Sequence, residues 1–128
     1  MEKYKLNLHY FKLVFFAVFV ALALSCNDKI TTVSGEVCFP DRSMCQAANI
    51  ELRQMFSDGG YSTVQWTTTN QDGKYELVVE TESGVYKIFA AVSYISQDQK
   101  QTMSFEGESL FRLISGEHHK INVVIFQK

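Results

Sequence analysis

The three cysteines have the widest choice of chemistry in this chain, and their settings differ. Cys26 ends an apolar run, whereas Cys38 and Cys45 lie close together further along the chain. Two nearby cysteines outside the cytosol favour a disulfide, with free thiols as the alternative. Closing so short a loop would add roughly 2.5 kcal/mol in the chain-entropy model. Zinc shared with His118 and His119 is a poorer reading, because the C-x-x-C spacing of structural sites is missing. A hydrolytic triad needs a nucleophile, a base and an orienting acid. His118 and His119 are adjacent, so a strand would turn them to opposite faces and they could not act as a pair. Asn70, Asp72 and Glu76 offer oxygens, but fewer than a calcium loop needs, and turn chemistry already accounts for the first two. Trp66, Tyr61 and Tyr75 are the candidate ligand contacts: aromatic faces stack on sugar rings, although in a sheet they are more often core or cross-strand pairs. No catalytic residue, metal site or cofactor is expected.

These residues must be carried by elements, and the first element is not part of a fold. Met1 to Lys12 is basic overall, Leu13 to Leu24 is uninterrupted apolar, and Ser25 and Cys26 follow. That order is the layout of a secretory signal. As a helix the apolar run spans about 18 Å, against roughly 30 Å of hydrocarbon, so it is too short for a membrane anchor. The expected organisation is a signal segment over 1–25, a tether over 26–32 and one domain over 33–128.

Ala23-Leu24-Ser25-Cys26 resembles a bacterial lipobox, with Ala23 and Leu24 exchanged relative to the commoner order. Loose boxes ending in Ser-Cys resemble those of Bacteroidetes-type lipoproteins. The resemblance implies cleavage before Cys26 and acylation of its thiol. Several acyl chains anchor stably where one does so only marginally. The implied location is the cell envelope, lipid-anchored, at the outer membrane on its periplasmic or outer face.

About 100 residues remain, enough for one small domain. The chain's formal charge is −2. Lys3, Lys5 and Lys12 against Glu2 make the leader basic, so the remainder is more acidic than the whole. Without a basic stripe it is a poor partner for nucleic acid. The remainder reads as short alternating strands separated by turns. Strands are expected over 32–39, 49–56, 62–69, 74–80, 85–94, 102–105, 110–114 and 120–126. Asp72-Gly73 suits a tight hairpin turn. Glu106-Gly107-Glu108 reads as another turn. Val85 to Tyr94 has apolar residues on both faces, which places it centrally. Val64 and Trp66, two residues apart, are expected on one face. No window after Cys26 shows helical spacing, and the expected fold class is all-β, a single small Greek-key β-sandwich of seven or eight strands.

Four blocks occur in order: Val33-Ser34-Gly35-Glu36-Val37, Ala48-Asn49-Ile50-Glu51-Leu52, the turn-and-strand block from Thr68 to Leu77, and Ser83-Gly84-Val85-Tyr86-Lys87-Ile88. Together they resemble the carboxypeptidase regulatory-like domain, a transthyretin-like sandwich similar to CnaB-type modules, over about residues 32–94. Cys45-Gln46-Ala47-Ala48 replaces the usual proline-glycine approach to the second strand. The CnaB likeness implies an isopeptide at Asn122, but the opening strand has no lysine to form it. Domains of this family are typically non-catalytic, and a fold alone names no ligand. The expected function is therefore a non-enzymatic, lipid-anchored envelope protein making protein contacts. A glycan-binding module is the alternative, requiring Trp66 exposed beside other aromatics. A further reading is an enzyme inhibitor acting through the Pro40–Met44 loop, stapled by Cys38–Cys45.

Overall fold

The computed structural model describes residues 30–128; the signal segment over 1–25, the acylation of Cys26 and most of the expected tether lie outside them. The first strand opens at Ile30, three residues before the expected domain start, and Thr31 is already fully buried. The described residues contain strands and turns and no helix.

Among the described residues nine strands form two sheets: β1 Ile30–Cys38, β2 Asn49–Met55, β3 Tyr61–Thr68, β4 Lys74–Glu80, β5 Gly84–Ile95, β6 Thr102–Leu113, β7 His118–Lys120, β8 Val123–Val124 and β9 Phe126–Gln127. In the smaller sheet β1 is central, with β4 antiparallel on one side and β7, then β8, parallel on the other. The larger sheet runs β3-β2-β5-β6-β9, which puts β5 in the middle as its two apolar faces required. Alternation fixes which side chains meet between the sheets. Val33 and Val37 of β1, Tyr75, Leu77 and Val79 of β4, Ile50 and Leu52 of β2, and Tyr86, Ile88 and Ala90 of β5 form one buried cluster.

Two expectations about the later strands need correction, and both turn on glycine. Gly107 is not in a turn: β6 runs unbroken from Thr102 to Leu113 and pairs with β5 throughout. A Cβ at Gly107 would overlap the carbonyl oxygen of Val124 and stand 3.0 Å from its carbon. The residue is glycine for clearance, not for bending. The expected closing strand over 120–126 is instead three short pieces. The ribbon leaves β1 after β8 and joins β6 as β9, with Ile125 N–H donating to Cys38 O at 2.9 Å on the way. Gly35 of β1 makes the matching clearance for Ile121.

The buried polar residue Thr69 ties the two connections at this end together. Its Oγ1 accepts from Ala48 N–H at 2.9 Å and donates to Cys45 O at 2.6 Å. Thr69→Val keeps the shape and leaves both backbone groups without a partner. Equilibrium denaturation should show a loss of about 2–4 kcal/mol.

Candidate functional site

The outer face of the larger sheet carries the candidate site. A bulge sets it up. Leu52 pairs with Gln65 and Arg53 with Thr63, so Val64 is left without a partner. One extra residue shifts the side-chain alternation by one step. Trp66 and Val64 therefore do not share a face as expected. Val64 packs against the core, while Trp66 turns outward and is 68% exposed. Tyr61, on the other side of the bulge, points to the same outer face as Trp66 and is 51% exposed.

Glu51 stands between Trp66 and Phe89 in register, and Arg53 between Thr63 and Lys87. The Arg53 guanidinium lies 4.2 Å from the centroid of Tyr61 and 4.0 Å from that of Phe89. Such a cation held between two aromatic faces is stabilised by their quadrupoles. Its Nη2 also donates to Glu51 Oε2 at 2.6 Å, and Thr63 Oγ1 donates to Glu51 Oε1 at 3.1 Å. These contacts fix the ring of Phe89 and the carboxylate of Glu51. Each carboxylate oxygen keeps accepting capacity for a further donor. Beside them Asn49, Ile50, Glu51, Trp66, Phe89 and Ala91 line an open groove of about 340 Å³. Ala91 is the small residue in that set.

Tyr75 does not belong to this surface. It lies on β4 in the other sheet, is buried, and donates its hydroxyl to Ile121 O at 2.6 Å. Phe89, Arg53, Glu51 and Asn49 were not among the expected contacts. Their signal was present: Glu51 and Arg53 alternate outward, and Val85 to Tyr94 is apolar on both faces. With that face of the sheet bare of a packing layer, the outward apolar Phe89 is half-buried, covered by the Arg53 guanidinium rather than by another sheet.

Cys38 and Cys45 are both free thiols, so the expected disulfide is not formed. Cys45 N–H bonds to Val37 O at 2.9 Å, and Cys38 pairs with Met44. Cys45 thus points into the core with Val37, and Cys38 points the other way. The Pro40–Met44 loop has no staple; it is closed by Phe39 N–H to Ser43 O at 2.9 Å and by Asp41, whose Oδ1 accepts from Ser43 N–H and Oγ–H. These bonds hold the Asp41 carboxyl below the usual carboxylate range. The stapled-loop argument for an inhibitor therefore loses its basis.

His118 and His119 face opposite ways, as adjacency required. His118 is bracketed by Thr32 Oγ1 and by Ser34 Oγ at 3.3 Å, and no carboxylate among the described residues forms an ion pair with it. His119 packs against Phe111, ring centroids 5.8 Å apart. Asn70 Oδ1 accepts from Asp72 and Lys74 N–H, which is turn chemistry. Asn122 Oδ1 accepts from Glu36 N–H at 3.0 Å. Among the described residues no group of three or more His, Cys, Asp and Glu is gathered for a metal ion.

Burial and a contact with Cys45 push the Tyr94 hydroxyl up to about 12, and burial pushes Tyr75 up further. The unfolded chain ionises these groups near 10, so their neutral folded forms are stabilising only below that pH. Thermal stability should hold through neutral pH and fall as pH rises from about 10 to 12. Tyr75→Phe should flatten that fall, read by melting at several pH values.

No protein-family model and no curated protein sequence matches this chain. The fold is similar to solved structures. Transthyretin from Sparus aurata superposes with a TM-score of 0.54 at 13% identity, covering 75% of this chain and 93% of the other. (S)-allantoin synthase gives 0.51 at 14% identity over 80% of this chain, which spans only 44% of that enzyme. At these identities the likeness shows the fold alone, a transthyretin-like β-sandwich.

Proposed function

We propose that this chain is a non-enzymatic, lipid-tethered envelope protein whose sandwich, of the carboxypeptidase regulatory-like kind, binds a glycan on the outer face of its larger sheet. The observation that carries this reading is the exposure of Trp66 beside Phe89, Glu51 and Asn49. A pyranose ring has an apolar C–H face and a rim of hydroxyls. The indole plane would cover the first, and the Glu51 carboxylate and Asn49 amide would take the second. A mostly apolar surface with a few placed polar groups is what orients a small ligand. The tether would hold this surface at the membrane through the acylated Cys26.

Trp66 is the only tryptophan, so its emission reports on the site directly. Titration with a panel of neutral and acidic envelope oligosaccharides should give a saturable change in that emission. Phe89→Ala should weaken binding at least tenfold, about 1.4 kcal/mol. Trp66→Ala should abolish it in calorimetry without changing the fold. Tyr75→Phe should leave it unchanged. No saturable response across the panel would refute the reading.

A second reading, protein contact, is supported by the tip of the β5–β6 hairpin. Phe39, which follows β1, packs on Phe105 and Tyr94, so the tip lies at the end of the sandwich opposite Ile30. There Ile95 is 71% exposed. Ile95→Asp should then remove an envelope partner from co-purification while leaving glycan binding intact.

A further inference from the structure

We propose that β3 pairs, antiparallel and edge to edge, with β3 of a second copy of this chain, about a twofold axis at Thr67. An exposed sheet edge is a template for another strand, and stable monomers blunt it with charge, proline, a bulge or shortness. The edges of this sandwich differ in that respect. β7 and β9 are three and two residues long. β4 carries Lys74, Glu76 and Glu80 on its exposed positions. β3 has a bulge at Val64, which protects its first half. From Gln65 to Thr69 nothing protects it. Between Tyr61 and Gln71 the sequence holds no charge, no proline and no glycine.

The backbone of this half is oriented for pairing. Thr69 N–H and C=O both bond toward the second strand, to Ala48 O at 3.0 Å and from Ala47 N–H at 3.1 Å. Alternation then turns the backbone groups of Thr68 and Trp66 to the open side. Trp66 N–H, on that side, is met only by the side chain of its own neighbour, Gln65 Oε1, at 3.2 Å. That cap is readily exchanged for a carbonyl of another strand.

The stretch is also self-complementary. With Thr67 opposite Thr67 of the second copy, Trp66 falls opposite Thr68 on the outer face, twice by symmetry. Aromatic–β-branched and Thr–Thr pairs are favourable across strands. This twofold self-pairing of Trp66 with Thr68 and of Thr67 with itself favours a second copy over an unrelated strand, and the absence of charge lets the two copies meet without repulsion. The two larger sheets would then continue into one, and the two Trp66 grooves would lie side by side. The pairing does not depend on what those grooves bind.

Thr67 opposite Thr67 is a non-hydrogen-bonded pair, with Cβ atoms close enough for a disulfide. Full-length chain carrying Thr67→Cys should therefore form a covalent dimer under mild oxidation, at least tenfold above the wild type with its native cysteines. Val78→Cys, on the exposed edge strand β4, should stay at the wild-type level. Thr68→Pro, which removes an outward N–H and leaves the β2 ladder, should abolish the Thr67→Cys dimer. If Thr68→Pro does not fold, the contrast between Thr67→Cys and Val78→Cys decides alone. Wild-type-level crosslinking at position 67, or equal crosslinking at position 78, overturns the proposal.

Discussion

Gly35→Ala is expected to leave no folded protein. A Cβ on residue 35 would overlap the carbonyl oxygen of Ile121 and stand 2.6 Å from its carbon. Both are backbone atoms, so no rotamer change relieves the clash. Ile121 cannot retreat cheaply either. Its N–H donates to Ser34 O at 2.7 Å, and its carbonyl accepts the Tyr75 hydroxyl at 2.6 Å. Relief means pulling the closing ribbon off β1 and exposing Val123 and Ile125, both fully buried. That loss should exceed about 4 kcal/mol, a large part of the 5–15 kcal/mol that holds a domain together. Gly107→Ala should behave alike, through Val124. Gly59→Ala is the contrast: φ is +88° but nothing lies near, so its cost should be about 1 kcal/mol. Circular dichroism and melting of the three variants check this, and a cooperative melt of Gly35→Ala near the wild type would contradict it.

Tyr86→Ala should cost about 3–5 kcal/mol, because it empties the largest fully buried side chain in the core. The hydroxyl has a separate job. It donates to Glu82 O at 2.7 Å and lies 2.7 Å from Thr81 Oγ1, pinning the connection from β4 to β5. Tyr86→Phe removes only those bonds and should cost about 1–2 kcal/mol. Urea unfolding separates the two variants. Equal losses would mean that the ring contributes nothing, against its burial.

Much of the fold was legible because alternation and turns are local signals. Lys74 to Glu80 falls where its pattern placed it, and β5 is central for the reason its two apolar faces gave. The fold class, an all-β sandwich, holds. What was hidden depends on partners distant in sequence. Gly107 reads as a turn because glycine between glutamates usually is one; only Val124 shows that it makes room. The bulge at Val64 has no local mark, yet it decides that Trp66 faces out. Spacing suggested a Cys38–Cys45 bridge, but strand pairing of Val37 with Cys45 turns the two thiols apart. Tyr75 and Trp66 are both aromatic and alternate alike, and nothing within either strand says that they belong to different sheets.

The closing ribbon also bears on how fast the domain can form. β1 is the first strand described, and its second side is completed by residues far along the sequence: Glu36 binds Asn122, 86 positions away, and Thr31 binds Gly116 across 85. Contacts of such span must bear the entropy of closing a long loop before they return anything. The ordering of this sandwich should therefore be slow, in the millisecond-to-second range typical of all-β domains. Until residues 116–124 dock, one flank of β1 stays open to water. The step that seals the core is thus also the kinetic bottleneck.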